Sequence, residues 1–364
     1  MMTFELDSVY IEERSRDSVL AARITRAIAP EVPIIFVPDG RAAAMPDSGA
    51  DPFGAGKRRM IVMRRRTPFL TACPAGSSRF ACCGYLVLAL ASNCPMDCSY
   101  CFLQEYLADN PGFQVFSNYA DAFEELERLS HASPGRHFRV GTGDLADSLA
   151  FDSLTGLSGD LISYFAAREN LTLELKTKTG EIGNLVRVDP RGRVMVSWTL
   201  SPEAVFQSSE HRAAPPSARI AAARAVLDAG YRVGFHFDPI ISYAGAERDY
   251  AQLADALLDS IPAARISLIS MGGLRMTPAL RAAARRRFPG DSMLCGEDVL
   301  APDGRYRTFT PLRLKLYRTL AARFERAGAK FPAYLCMEPA SVHERVFGVA
   351  PRLPATIGER LAQA

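Results

Sequence analysis

The sequence lacks a hydrophobic run long enough to cross a membrane. Its longest apolar stretch, residues 81 to 91, falls short of the roughly 18–20 residues that span a bilayer. The opening residues, MMTFELDSVYIEERSRD, have neither the basic start nor the apolar segment of a secretory signal. These absences predict a cytoplasmic protein with no membrane partner.

A strong excess of charge is also missing. The formal net charge is +3, 23% of the residues are charged and 48% are hydrophobic. A balance this small neither requires nor excludes a nucleic-acid partner, and the apolar content argues against a disordered chain. The 364 residues suffice for one large core, alone or with a satellite domain.

From Gly84 onward, short apolar strands alternate with helical stretches, which is typical of a parallel sheet with right-handed crossovers. The predicted strands are residues 85–90, 137–142, 171–178, 194–200, 231–238 and 265–271. The predicted helices include residues 16–29, 120–129, 217–229 and 311–327, and the final predicted strand is 333–337.

The two faces of these strands favour a barrel over a flat, doubly wound sheet. Leu171, Leu173 and Leu175 share one face, whereas Glu174 and Lys176 lie on the other. A flat sheet covered by helices on both sides would need two apolar faces, but a barrel can enclose polar groups at a site where its strands end.

We therefore predict an α/β fold in three regions. An N-terminal α/β extension with a basic segment covers residues 1–84, and a partial (β/α)6 TIM barrel covers residues 85–300. A C-terminal helix–strand segment covers residues 301–364.

Three of the eight cysteines form a compact motif. In a reducing compartment cysteines are thiols or metal ligands rather than disulfides. Cys94, Cys98 and Cys101 have the spacing CxxxCxxC and directly follow the first predicted barrel strand. Three such thiolates can hold a [4Fe–4S] cluster and leave one iron open. A zinc site, whose fourth ligand is missing at zinc-finger spacing, and buried structural cysteines are the alternatives.

This motif, on the loop after the first strand of a barrel, resembles the radical S-adenosylmethionine (AdoMet) superfamily. Four further segments are similar to the spore photoproduct lyase family, and the similarity covers roughly residues 9–348. The segments are SVYIE at 8–12, NCP at 93–95, YCFLQ at 100–104 and AGYRVGF at 229–235. The resemblance implies a radical SAM partial barrel with a [4Fe–4S] cluster and AdoMet. It also implies a 5′-deoxyadenosyl radical that opens a methylene-bridged thymine dimer in DNA.

The resemblance also implies roles for individual residues. Cys94, Cys98 and Cys101 match the cluster ligands, and Tyr100 matches a tyrosine that relays hydrogen. The residues placed beside the cofactor are Phe102, Gly143, Asp144, Lys178, Ser197 and Asp238.

Two positions depart from the family pattern. Gly141, in GTGD, stands where the family has its hydrogen-donating cysteine, and Phe102 stands where it has a tyrosine. Glycine has no thiol and phenylalanine no hydroxyl, so neither can donate or relay a hydrogen atom. Cys336, in YLCME, is the candidate replacement thiol; a packed core cysteine is the plainer interpretation.

The leading hypothesis is therefore a radical SAM lyase that repairs a lesion in DNA, with an external electron donor such as flavodoxin or ferredoxin. The alternatives are a radical SAM enzyme for a small-molecule or RNA substrate, and a nucleic-acid-binding protein whose cluster is structural or redox-sensing. Basic stretches at 57–59, 64–66 and 285–287 could contact phosphates, although solvated charge is as common an explanation.

Overall fold

A curled eight-stranded sheet dominates the fold in a computed structural model, which describes residues 4–43, 49–73, 80, 83–328 and 333–349. Seven of its strands are parallel, and we label them β1 to β7 in chain order. They are Leu86–Leu88, Phe138–Gly141, Leu171–Thr177, Val194–Thr199, Arg232–Ile240, Ile266–Gly273 and Ala333–Leu335. Leu70–Ala72 pairs antiparallel with β1 at the other edge.

The structure confirms the predicted partial barrel and adds a strand to it. Six parallel strands were predicted within the barrel region, and each lies within a few residues of its predicted position. The seventh, β7, comes from the C-terminal segment and pairs with β6. This pairing brings Cys336, one residue beyond β7, to the barrel edge.

Helices pack against the outer face of the barrel and around its ends. Leu171, Leu173 and Leu175 of β3 are fully buried, as the predicted outward-facing apolar stripe requires. The α-helices of the described residues are Val19–Ala27, Pro52–Gly56, Leu103–Tyr106, Ala120–Ala132, Asp152–Thr155, Leu157–Ala166, Glu203–Ser209, Pro216–Asp228, Ala246–Ser260, Pro278–Arg287, Thr310–Arg326 and Ala340–Phe347. None of them has both the length and the apolar character that crossing a membrane requires.

The first residues of two helices differ from those predicted, because capping interactions and proline determine where each helix begins. The first helix begins at Val19 rather than at residue 16, because the Ser18 hydroxyl accepts a hydrogen bond from the Ala21 amide at 3.1 Å. The start of the helix predicted over residues 217–229 is also slightly displaced. That helix begins one residue earlier at Pro216, whose fixed φ suits the first helical turn.

A second, smaller sheet of five strands lies beside the barrel. Its strands are Ser8–Glu12, Ile34–Val37, Arg59–Met63, Ala91–Ser92 and Phe113–Phe116. Arg59–Met63 is fully buried at its centre, so the segment described as basic from its sequence is largely a core strand. The sheet takes strands from both sides of residue 84.

A buried polar network fills the lower lumen of the barrel. Glu174 of β3 accepts hydrogen bonds from Arg139 at 2.6 Å, Ser197 at 2.7 Å and His236 at 2.8 Å. Burial alone would raise the pKa of Glu174, but Arg139 and His236 lower it below its usual range. Burial lowers the pKa of His236, with Lys176 acting in the same direction.

His236 should make stability depend on pH. Its folded pKa lies below the ordinary value of 6.5, so the unfolded chain takes up a proton first as the pH falls. The contribution of His236 to the free energy of unfolding should therefore be complete above about pH 6.5. Below that pH it should decrease by up to about 1.4 kcal/mol per pH unit. The His236→Gln variant should lose this component when denaturant midpoints are compared across pH. The exposed His131, changed to Gln, should leave the wild-type dependence unchanged.

Candidate active site

A cavity of about 820 Å³ opens where the barrel strands end. Of the site residues predicted from the sequence, all but one line it. These are Cys94, Cys98, Tyr100, Cys101, Phe102, Gly143, Asp144, Lys178, Asp238 and Cys336. The position follows from the fold, because loops after parallel strands meet at one end of a barrel.

The cysteine loop is held from below by a buried lysine. Lys57, with a side chain only 1% exposed, donates to the backbone carbonyls of Cys94 at 2.9 Å and Met96 at 2.7 Å. Asn93 begins the loop at φ +71°, a left-handed conformation that asparagine tolerates, and its side chain accepts from the Cys94 amide at 2.8 Å. The loop is therefore fixed by backbone contacts as well as by its own sequence.

Further contacts at Asp97 and Ser99 fix the middle of the loop. Arg287 donates to both carboxylate oxygens of Asp97, at 2.9 and 3.0 Å. Ser99 donates to Asp291, and its backbone amide donates to the Ser209 carbonyl at 2.9 Å. These distant partners leave the three cysteine side chains directed at the cavity.

The donor set suits an iron–sulfur cluster better than a single metal ion. Among the described residues, no three Cys, His, Asp or Glu side chains converge as the ligands of one ion would. A cubane does not need this, because its three thiolates bind iron atoms at separate corners. Burial raises the pKa of the Cys98 thiol to about 11 against the opposing effect of Lys178, so metal binding here would release protons.

A buried charge network lies behind Cys98. Glu210 accepts hydrogen bonds from Arg219, from the Tyr100 hydroxyl, from Lys178 at 3.0 Å and from Ser201 at 2.8 Å. Burial alone would raise the pKa of Glu210, but the two cations outweigh it and lower the pKa.

This network brings Lys178 to the cluster motif. The Lys178 ammonium lies 3.8 Å from the Cys98 sulfur and also donates to the Tyr100 hydroxyl. Glu210 pairs with Cys98 across a short antiparallel ladder, which explains how it reaches this position. Sequence reasoning missed Glu210 and Arg219, since neither belongs to a recognisable motif.

The opposite wall of the cavity carries an ion pair beside a thiol. Asp238 and Arg275 form a bidentate pair with both N–O distances at 3.0 Å. Arg275 also lies 3.8 Å from the Cys336 sulfur. Burial and Asp238 together raise the pKa of the Cys336 thiol, which therefore keeps its proton at neutral pH. Arg275 was not predicted from the sequence.

Asp144 and its neighbours form the wall at the end of β2. Burial raises the pKa of Asp144 against the opposing effect of Lys176. A Cβ atom at Gly143 would lie 2.4 Å from the Lys176 Cβ, so only glycine fits there. Asp147, which the sequence analysis did not single out, accepts from the Lys178 amide and the Thr177 hydroxyl, both at 2.8 Å, and so holds the end of β3.

Ser197 is the predicted site residue that the structure places elsewhere. It does not line the cavity; its hydroxyl donates to Glu174 in the lumen below. Its contact with a cofactor therefore stays a prediction.

The space beside Gly141 is already filled. A Cβ atom built there would lie 2.0 Å from the Tyr85 hydroxyl oxygen and 2.5 Å from its ring carbon Cζ. Tyr85 thus occupies the volume that a side chain at residue 141 would need, and the Arg139 guanidinium covers its ring at 5.1 Å. A thiol at residue 141 and Tyr85 in this position are mutually exclusive.

The basic stretches are largely paired within the protein. Lys57 and Arg59 are buried, and Arg58 lies 2.8 Å from Asp7. Arg66 lies 2.9 Å from Asp39, and Arg287 is held by Asp97. Most of these cations therefore stabilise the fold and are not free to bind a phosphate.

Comparison with known proteins gives a consistent result. A family model described as spore photoproduct lyase matches residues 4–297. The spore photoproduct lyase of Clostridium acetobutylicum is 23% identical over 257 residues, which is 70% of this chain and 74% of the relative. That of a Geobacillus species is 25% identical over 204 residues, 56% of this chain and 60% of the relative.

Solved structures of spore photoproduct lyase share the fold. One in complex with dinucleoside spore photoproduct superimposes with a TM-score of 0.80 at 22% identity, over 91% of this chain and 98% of the other. A mutant with bound AdoMet and the same ligand gives 0.79 at 22% identity, with the same coverage. The likeness establishes a common partial-barrel architecture.

Proposed function

The chain belongs to the spore photoproduct lyase family, and on that premise we propose that it is a radical SAM enzyme that repairs a photolesion in DNA. The observation that carries the proposal is the convergence of Cys94, Cys98 and Cys101 on one cavity with Lys178 and Asp238. An external one-electron donor of the flavodoxin or ferredoxin class would supply the electron.

The cavity provides a place for each component. The three cysteines would hold the [4Fe–4S] cluster, whose open iron leaves room for an amino-acid group. The residues proposed to contact AdoMet are Phe102, Gly143, Asp144, Lys178, Ser197 and Asp238. When both groups are bound, they supply a 5′-deoxyadenosyl radical, while the protein positions the substrate and excludes water.

Two side chains are proposed to handle hydrogen. Tyr100 faces the cavity and its hydroxyl is tied to Lys178 and Glu210, which suits a relay position. Cys336 faces the cavity from the other wall with its thiol protonated, so it has a hydrogen atom to give. Gly141 cannot serve because it has no thiol, and Tyr85 fills the space that a side chain there would need.

The experiment that tests the function is AdoMet cleavage by anaerobically reconstituted protein, with and without ultraviolet-damaged DNA. We expect 5′-deoxyadenosine release in the presence of dithionite, faster release with damaged DNA, and loss of the lesion. AdoMet cleavage that damaged DNA does not stimulate would instead support a small-molecule or RNA substrate. Gly141, which lacks the family's thiol, is the observation that favours this second candidate.

The Cys336→Ala variant should separate the two half-reactions. It should still release 5′-deoxyadenosine but form repaired product more slowly, since the hydrogen-atom donor is gone. Product formed in deuterated solvent should also lose its label at the repaired carbon, as measured by mass spectrometry. Cys73→Ala, at another thiol of the cavity wall, is the matched control. Unchanged repair and labelling in Cys336→Ala would make Cys336 a packing residue.

A further inference from the structure

Two aromatic side chains at the cavity wall are unusually exposed. Phe102 is 44% exposed and Tyr106 is 66% exposed, yet both line the cavity. Their ring centroids lie 6.4 Å apart with the planes tilted by 54°. We call Phe102 and Tyr106 the aromatic pair. Neither ring is covered as a core aromatic would be, so the pair leaves apolar faces open at the cavity mouth.

The aromatic pair is held in place by the cluster loop and by a neighbouring helix. Phe102 caps the single helical turn Leu103–Tyr106 and directly follows Cys101, and Tyr106 ends the turn. The Tyr106 amide donates to the Phe102 carbonyl at 3.1 Å, and the Thr277 hydroxyl lies 2.5 Å from the Glu105 carboxylate. The turn packs against the helix Pro278–Arg287, so the two rings project from a fixed platform.

The helix that supports the aromatic pair carries several arginines, and Arg305 lines the same cavity. Arg281, on the helix that supports the turn, has a buried Nε with no hydrogen-bond partner among the described residues. Arg285 and Arg286 follow it in the last helical turn, and both are exposed. Arg65 also interacts electrostatically with Tyr106: burial lowers the pKa of Arg65, and Glu125 and Tyr106 oppose that shift.

We propose that the aromatic pair stacks on an unpaired nucleobase next to the lesion, while Arg281 and its neighbours bind the adjoining phosphates. The inference rests on the proposed function and specifies its substrate as locally opened or single-stranded DNA. Open π-faces flanked by arginines suit such a strand, because bases stack on aromatic rings and phosphates pair with cations. Two stacking faces at the mouth would hold the neighbouring base out of the duplex while the lesion enters the cavity.

The test is fluorescence anisotropy of a short oligodeoxynucleotide that carries a thymine photolesion, titrated with reconstituted protein at several salt concentrations. Tyr106→Ala should weaken binding by about 5- to 150-fold without changing the salt dependence, because the lost interaction is uncharged. Tyr106→Trp should restore the affinity. Arg281→Gln should lower the slope of log affinity against log salt by about one. Val19→Ala, at an exposed apolar residue of the N-terminal region, is the control and should bind as the wild type does.

An abasic probe identifies the stacked base. Removing the base beside the lesion should weaken wild-type binding as much as Tyr106→Ala does, and the two changes together should cost no more than either alone. Full binding by Tyr106→Ala, with normal 5′-deoxyadenosine release, would overturn the stacking site and leave the proposed function intact. Failure of the wild type to bind any damaged or undamaged strand would overturn both.

Discussion

Replacing Cys98 by alanine should remove the iron–sulfur cluster and, with it, all AdoMet cleavage above background. A cubane held by three thiolates cannot keep its geometry on two, and Cys98 is the buried central ligand of the motif. Iron and sulfide per chain should fall by at least about tenfold after anaerobic reconstitution. Release of 5′-deoxyadenosine in the presence of dithionite should fall with them.

The matched control is Cys295→Ala, because Cys295 is an exposed free cysteine that does not line the cavity. It should keep its iron, its sulfide and its cleavage rate. A Cys98→Ala protein that still binds a full complement of iron, or still cleaves AdoMet, would show that the cluster is held elsewhere.

Replacing Glu210 by leucine should cost about 3–5 kcal/mol of the free energy of unfolding. The change leaves Arg219, which is fully buried, and Lys178 without their carboxylate partner. An uncompensated buried charge is far more costly than a missing apolar contact. Chemical denaturation of the wild type and the variant measures the difference.

A double-variant cycle shows whether the charge pair is the cause. Glu210→Leu combined with Arg219→Met should be less destabilised than the sum of the single changes, because the second change removes the orphaned cation. Glu203→Gln, at an exposed carboxylate on the preceding helix, should change stability by less than about 0.5 kcal/mol. Additive single effects would mean that Glu210 acts through packing instead.

The features of this protein that could be predicted from sequence are those that a short stretch of chain determines. The alternation of apolar and polar side chains, together with β-branched or aromatic residues, predicts strands such as Val194–Thr199 and Leu171–Thr177. The cysteine motif is equally local, since the eight residues from Cys94 to Cys101 carry its whole spacing. Barrel topology then follows from the rules for repeated βα units.

The parts that escaped prediction depend on contacts between distant segments. Arg59–Met63 pairs with Phe113–Phe116 in parallel across a separation that no local pattern reports. Glu210 can be recognised as a site residue only from its ion pairs with Lys178 and Arg219. Arg275 can be recognised only from its ion pair with Asp238. Glutamate and arginine are common surface residues, so nothing in their immediate sequence marks them as buried partners.

Tyr85 and Gly141 show the same limit at the site itself. The sequence shows that Gly141 lacks a thiol, but it does not show that the Tyr85 phenol fills the vacant space. Tyr85 directly precedes β1 and Gly141 ends β2, and these two strands become neighbours only in the folded sheet. The closeness of the Tyr85 side chain to Gly141 explains why restoring a cysteine at residue 141 would first require a smaller residue than Tyr85.

The lysine beneath the cysteine loop makes the N-terminal region part of the catalytic unit. Lys57 belongs to the N-terminal region, yet its ammonium joins the backbone of residues 94 and 96 from inside the protein. A chain that started at the first barrel strand would expose those carbonyls and lose the support that shapes the loop. The smallest fragment able to assemble the metal centre therefore includes the region in front of the barrel, and the two have to fold together.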